Sequence, residues 1–519
     1  MGQAQSISGV LVVAGWRAVI GPVAGLLFVM LGLWNLAAPG MWWDEGWTLS
    51  VARNWVERGH YGRLLDGQLA PPGLEASFTV TAPVALAFRL FGVGLWQGRL
   101  FGVLCTAAAM ALVYHLAARL YSKAVAIGSL AVLLLMAMHP QLHPLIMGRQ
   151  VLAELPMLCY LLAGYACLLP ALRRPLRFLP LAAICWGAAL VTKVQVLPFW
   201  VVSLAAPLAA TLWLRRWRAA GLLAIGIAGA FAVACMLPWL WGLLLRGHTL
   251  PPAPLSGLYD VIVLVPNLWN REFALGNAVA FGLPAALGLV YATWRTARSR
   301  DDWAARLDQK IVRLALLMLA GSWYAWFVLL SVGVPRYLFP ATFVASIFAA
   351  ALLCELTDQF KLTATLHHAT GLFRRGGRDR RGAGAWLAIL LVAISLPITI
   401  QTLYRFYIAN SDTSAFETAA FLNTQIPDGA LIETYESELH FLLDRPYHYP
   451  PDQLHVELNR RSLLEEDVVI NYDPLAANPD YLVVGVFSTG NRLYELVIAA
   501  GAFRLVRTYG VYSIYERVR

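Results

Sequence analysis

Eleven apolar runs, each near the length of a membrane-crossing helix, divide the chain: 16–38, 97–120, 124–142, 151–171, 178–192, 196–214, 219–244, 277–294, 311–333, 337–356 and 385–403. A helix rises 1.5 Å per residue, so roughly twenty apolar residues cross the hydrocarbon core. In lipid every backbone N–H and C=O must be satisfied within the protein, which leaves helices or closed barrels as spanning structures. The runs are continuous rather than alternating, so they predict helices. Composition agrees: 59% of the 519 residues are hydrophobic and 13% charged, against roughly half and a quarter in soluble domains. The expected fold class is an α-helical polytopic membrane protein of about eleven spans with a small C-terminal soluble α/β domain. The expected division is 1–403 for the membrane domain and 404–519 for the tail.

The net charge of +10 does not point to nucleic acid, because the cations sit in short loops between apolar runs. With the N-terminus inside, alternate loops carry Arg119 and Lys123; Arg173, Arg174 and Arg177; Arg215, Arg216 and Arg218; Arg295, Arg298, Arg300 and Arg306; and Lys361, Arg374, Arg375, Arg378, Arg380 and Arg381. All fall on one side, as the positive-inside rule requires of cytoplasmic loops. Membrane lipids are their expected partners. The six cysteines lie in or beside apolar runs without metal-ligand spacing, so no disulfide framework is expected.

The opposite side carries the large loop 39–96, the loop 143–150, a turn near Lys193, the loop 245–276, Pro335-Arg336-Tyr337 and the tail. Loop 39–96 opens with GMWWDEGWTLSVARNWVERGHYG, residues 40–62. Trp47, Val51 and Trp55 recur every four residues, the mark of one apolar helical face. Asp44 and Glu45 start this helix, where carboxylates also suit its N-terminal cap and dipole. A second interfacial helix is expected at 83–94. Loop 245–276, rich in Pro and Trp, is a candidate cover for a site below it. The tail predicts a helix at 413–423, strands at 430–435 and 480–487, a helix at 492–500, and strands at 504–508 and 511–516. It has neither a Gly-rich phosphate loop nor a nucleophile elbow, so a structural or acceptor-facing role is expected of it.

Ionisable groups in or beside spans are costly, and each is a functional candidate. Here those facing the outer side are Asp44, Glu45, Arg149, Glu154, Lys193 and Arg336. Arg149 with Glu154 also fits an interfacial ion pair, Lys193 a snorkelling side chain, and Arg336 with Tyr337 an interface anchor. His139 and His143 have i, i+4 spacing, but each precedes a proline, which disfavours the helix that such metal ligands need. Two carboxylates with three cations suit transfer of a sugar from a lipid phosphate. The leaving phosphate is an anion that Arg and Lys can hold, and a carboxylate can take the proton of an attacking hydroxyl. The alternative is a lipid or solute transporter or flippase gripping an anionic headgroup. It calls for ionisable groups near the bilayer midplane on broken helices, not at outer helix ends.

The chain resembles the C-type glycosyltransferases, in the bacterial branch related to protein O-mannosyltransferases and the lipid A aminoarabinose transferase. The matching stretches are WWDEGWTLSVARNW, APVALAFRLFGVGLWQGRLFGVL, GRQVLAELPMLCYLL, LVTKVQVL and PRYLFPA. They run over most of 16–356, and IETYESELHFLLDRPYHYP with YLVVGVF matches in the tail. The resemblance implies an inverting glycosyltransferase at the outer face of the cytoplasmic membrane. The implied partners are a polyprenyl-phosphate-linked sugar and a lipid, polysaccharide or protein acceptor. By position, Asp44 is the implied catalytic carboxylate, and Glu45 orients substrate or binds a divalent metal. Arg149, Lys193, Arg336 and Tyr337 are the implied phosphate-binding residues, while Glu154 and His143 are candidates for metal or substrate. Relatives often carry Asp at the place of Glu154 and Gly at that of Val194.

Overall fold

The computed structural model describes residues 30–37, 40–245, 255–258, 264–265, 267–298, 306–374, 380–410 and 412–519, with Leu26 and Val261. The expected run 16–38 therefore lies mostly outside the described residues, as does much of loop 245–276.

Ahead of the spans come α1 (Trp43–Arg58), a short hairpin of β1 (Leu64–Leu65) and β2 (Gln68–Leu69), and α2 (Phe78–Phe91). Then come α3 (Leu95–Leu120), α4 (Lys123–Leu135), α5 (Pro144–Met147), α6 (Glu154–Ala171), α7 (Pro175–Thr192), α8 (Leu197–Trp213) and α9 (Trp217–Leu244). Next are α10 (Leu268–Arg298), α11 (Leu307–Leu330), α12 (Phe339–Leu356), α13 (Leu362–Arg374) and α14 (Arg380–Tyr404). Nine helices among the described residues are long and apolar enough to cross a membrane, and α4 is a shorter apolar helix. The expected span 124–142 stops at Leu135 because two His-Pro pairs follow. A residue before proline is pushed out of the helical region, and His139 and His143 instead cap a 3₁₀ turn and α5. The second interfacial helix begins five residues earlier than its expected start, and Pro83 lies inside it.

Enclosure differs along the bundle. Span α12 is the most buried of the nine and α9 the least. Phe339, Phe343, Ile347 and Phe348 of α12 are fully buried, and α12 packs on both α10 and α4. Fully burying each such side chain stabilises a fold by about 1.5–3 kcal/mol in water. In lipid, close packing itself takes over that role.

The tail holds α15 (Ser414–Gln425), β3 (Ile432–Thr434), α16 (Ser437–Leu442), β4 (Tyr447–His448), α17 (Asp452–Leu463) and β5 (Tyr481–Val484). It ends in α18 (Val486–Gly490), α19 (Glu495–Ala499), β6 (Phe503–Tyr509) and β7 (Tyr512–Arg517). The sheet order is β4-β3-β5-β7-β6, parallel across β4-β3-β5 and antiparallel beyond. Leu422, Ile432, Leu439 and Ile514 centre its core. The described part of loop 245–276 rests on this tail, since Val261 and Val265 pack with Val456 and Leu464.

The tail is seated on α1. A Cβ added to Gly46 would stand 1.9 Å from the Ser437 carbonyl oxygen, so α1 and α16 meet backbone to backbone. The Arg53 guanidinium donates to the carbonyls of Phe441 and Leu443 at 2.7 and 3.1 Å. Deeper in loop 39–96, buried Arg63 grips both oxygens of Asp452 on α17 and faces Glu75 at 3.1 Å. These polar clamps tie loop 39–96 to the tail.

Candidate active site

Trp42 precedes α1 in extended conformation, and its backbone N–H donates to Glu45 Oε2 at 2.7 Å. Arg99 of α3 adds Nε to Oε1 at 3.0 Å and Nη2 to Oε2 at 2.8 Å, and the Val151 N–H reaches Oε1 at 3.1 Å. An ionised carboxylate offers about four acceptor sites, and all are occupied here, with the side chain fully buried. Glu45 thus ties the entry of α1 to α3 and to the backbone at Val151. Arg99 was missed as an arginine inside an apolar run, although the cost of burying it there was the available signal.

Asp44, one residue earlier, points elsewhere and keeps a quarter of its side chain exposed. Its Oδ2 accepts from Nη1 of Arg336. Arg336 lies in the 3₁₀ turn Pro335–Leu338 between α11 and α12, and its Nε stands 3.3 Å from Glu154 Oε1. Glu154 opens α6. Lys193 sits in the extended break between α7 and α8, and its Nζ donates to the same Glu154 oxygen at 2.7 Å. The result is a row of alternating charge, Asp44–Arg336–Glu154–Lys193, assembled from four places in the chain. The Tyr337 ring lies beside both cations, 5.8 Å from the Arg336 guanidinium and 6.0 Å from Lys193 Nζ.

A cavity of about 200 Å³ opens beside Glu154, Lys193, Arg336 and Tyr337, and Phe199, Trp323 and Trp326 wall its far side. Phe199 and Trp323 stack with centroids 4.3 Å apart, and Trp323 Nε1 is tied to the Tyr337 carbonyl at 2.9 Å. The lining therefore joins charged side chains to aromatic ones.

The tail reaches the other flank of Asp44. The Trp43 indole N–H donates to the Tyr435 carbonyl at 3.0 Å. Its rings stack on Phe487 and His455 at 4.7 and 4.9 Å. The Tyr435 hydroxyl is 2.6 Å from His455 Nδ1, and Asn459 is 2.8 Å from Nε2. Burial lowers the His455 pKa to about 4, even with Asp44 and Asp452 opposing the shift, so the ring is neutral. In the sequence, Tyr435 and Phe487 fall within the matching tail stretches, while His455 and Asn459 carried no signal.

Two expected site residues lie apart from this row. Arg149 donates to the Asn35 carbonyl at 3.1 Å and lies 4.2 Å over the Tyr407 ring, so these described contacts fall outside the row. His143 is fully buried. Its Nδ1 accepts the Leu145 N–H at 3.3 Å, and Nε2 is 3.1 Å from the Leu134 carbonyl. Both ring nitrogens are thus engaged at the break after α4. Among the described residues no three His, Cys, Asp or Glu side chains gather as metal ligands. The carboxylates of the row are matched by cations, so the donor set does not suit a divalent ion.

A family model described as dolichyl-phosphate-mannose-protein mannosyltransferase matches residues 78–241. No curated protein sequence matches the chain. Among solved structures, ArnT from Cupriavidus metallidurans bound to undecaprenyl phosphate superposes with a TM-score of 0.61 at 15% identity, covering 97% of this chain and 98% of that one. The chain has the fold of the C-type glycosyltransferases. The archaeal oligosaccharyltransferase AglB from Archaeoglobus fulgidus, in complex with an inhibitory peptide and a dolichol-phosphate, has a TM-score of 0.55 at 13% identity. That match covers 93% of this chain and 71% of AglB. In this C-type fold the tail is part of the superposed structure for both neighbours, since nearly the whole chain is covered.

Proposed function

We propose that the protein is a membrane glycosyltransferase that moves a monosaccharide from a polyprenyl-phosphate donor to an acceptor on the outer face of the cytoplasmic membrane. The observation that carries the proposal is the convergence of Lys193 and Arg336 on one cavity with an aromatic wall, next to Asp44. The donor phosphate sits between the two cations, displacing their contacts to Glu154, and its prenyl chain leaves along Phe199 and Trp326. Breaking the glycosidic bond places a second negative charge on that phosphate. Fixed cations in a water-poor site stabilise the developing charge without reorganising. Asp44, oriented by Arg336, takes the proton of the acceptor hydroxyl as it attacks from the opposite face, which inverts the anomeric centre. Glu154 keeps the two cations apart and charged while no donor is bound. The tail from 404 onward lies outside the cytoplasm and frames the acceptor side through Tyr435 and His455.

The fold and the bound ligands of the two neighbours, undecaprenyl phosphate on ArnT and a dolichol-phosphate on AglB, support a lipid-phosphate donor here. Incubating the full chain in liposomes with polyprenyl-phosphate sugars and cell-envelope acceptors tests the proposal by mass spectrometry. Release of polyprenyl phosphate with a glycosylated acceptor is expected. Intact donors across the tested sugars and acceptors would overturn it.

A further inference from the structure

A second cavity, of about 560 Å³, lies at the other end of the bundle. It is framed by the C-terminal ends of α3, α10 and α12 and by the start of α11. Span α11 has 24 residues, about 36 Å at the helical rise. Its far end leads to Arg336, so this cavity and the site above are separated by a bilayer's thickness. The lining holds four cations, Arg295, Arg306, Lys310 and Arg313, against two carboxylates, Glu355 and Asp358.

Topology explains why cations collect on this side, but not why they surround a cavity. Arg295 faces Glu355 at 3.5 Å, and Asp358 faces Lys361 at 3.3 Å, so both carboxylates have cationic neighbours. Arg313 lies 4.4 Å over the Tyr121 ring and donates to the Leu120 carbonyl. Arg306 and Lys310 stand at the N-terminal end of α11, where the helix dipole disfavours positive charge. The rim is held by three consecutive non-glycine residues in left-handed conformation, Asp358, Gln359 and Phe360, with φ of 46, 64 and 62°. Each costs of order 1–2 kcal/mol, and such backbone persists only where its surroundings hold it. Beyond the rim, Leu362 and Leu366 of α13 are exposed apolar side chains, which sets the mouth of the cavity at headgroup depth.

We propose that this cavity binds the phosphate headgroup of an anionic membrane lipid, with Arg306, Lys310 and Arg313 on the phosphate and Leu314 and Ala351 beside the first acyl carbons. The site is independent of the sugar-transfer reading and makes no contact with its residues.

Native mass spectrometry of the full chain tests it, after exchange into micelles containing phosphatidylglycerol or phosphatidylcholine. The wild type should retain phosphatidylglycerol about thirtyfold better than Arg306→Gln/Lys310→Gln, since each cation near a lipid surface contributes roughly 1 kcal/mol. The exposed single variant Arg306→Gln should show the same direction with a smaller factor, which keeps the test open if the double variant folds poorly. Arg174→Gln/Arg177→Gln, exposed cations at the junction of α6 and α7 that do not line this cavity, should retain lipid like the wild type. Equal retention by wild type and Arg306→Gln/Lys310→Gln, or equal loss in both double variants, would overturn the proposal. Displacement of the lipid by millimolar inorganic phosphate would assign the site to a free anion and overturn the lipid assignment.

Discussion

Arg99 holds Glu45 in a two-pronged ion pair of 2.8 and 3.0 Å, both side chains all but sealed from solvent. Of the two adjacent carboxylates, that pairing leaves Asp44 facing Arg336. Removing one partner of a buried pair strands the other charge and costs about 3–5 kcal/mol. Arg99→Met should therefore destabilise the protein by about that amount, read as a lowered midpoint of thermal unfolding in detergent. The double variant Arg99→Met/Glu45→Gln should recover part of the loss. A wild-type midpoint for Arg99→Met would show that the pair does not fix the entry of α1.

Lys193 shares Glu154 with Arg336, and both border the aromatic-walled cavity. Losing one charge-assisted hydrogen bond to a phosphate costs about 1.5–3 kcal/mol. Lys193→Gln should weaken binding of polyprenyl phosphate by roughly ten- to a hundredfold, and should lower the unfolding midpoint less than Arg99→Met because Arg336 still pairs with Glu154. Fluorescence or calorimetric titration with the lipid phosphate measures this. Unchanged affinity would remove Lys193 from the donor site.

The closeness of α1 and α16 makes Gly46 a direct test of tail docking. Gly46→Ala places a methyl group 1.9 Å from the Ser437 carbonyl oxygen, and because that atom is backbone it cannot swing away. Overpacking of this kind costs typically 1–3 kcal/mol. The tail should become protease-sensitive under native conditions while the membrane helices stay intact. A tail as resistant as the wild type would mean that α16 is not anchored there.

Glu438, on the same α16, is buried and hydrogen-bonded by the Tyr512 hydroxyl at 2.5 Å. Burial, reinforced by nearby Glu436, raises its pKa to about 8 from an ordinary value of 4.5. The folded tail thus holds a proton that the unfolded chain releases at lower pH. The stability from this group is full below pH 4.5 and is lost as pH rises towards 8. Glu438→Gln should raise tail stability near pH 8 and flatten its pH dependence over this window, in thermal or proteolytic unfolding profiles. A profile that matches the wild type would show Glu438 ionised in the folded protein.

Much of this arrangement was legible in the sequence because the bilayer imposes it. Helix α12 reads as an uninterrupted apolar run, and the loop cations sort to one side. Asp44, Glu154, Lys193 and Arg336 stand out because charge beside a span is costly, and they converge. The same reasoning did not separate them from Arg149 and His143, since cost of burial marks a charged or polar group without saying which neighbour satisfies it. Arg149 found Tyr407, and His143 found two backbone partners. Glu45 resembled Asp44 in sequence, yet one residue turns a helix by about 100° and sent it to Arg99. In the tail, α16, β4 and α17 were unread because Pro446, Pro450 and Pro451 interrupt short elements whose pattern is set by docking on α1. His455 and Tyr435 reach the site only through that long-range seating.

The most direct measurement of the central claim is single-turnover sugar transfer by Asp44→Asn with the donor already bound. Asparagine keeps a carbonyl oxygen for Arg336 but cannot accept a proton at neutral pH. General-base loss lowers such rates by about 10²–10⁴-fold, so transfer should fall by that factor while polyprenyl-phosphate affinity stays within a few-fold of wild type. Transfer by Asp44→Asn at the wild-type rate would contradict the assignment of Asp44 as the base and with it the account of the site.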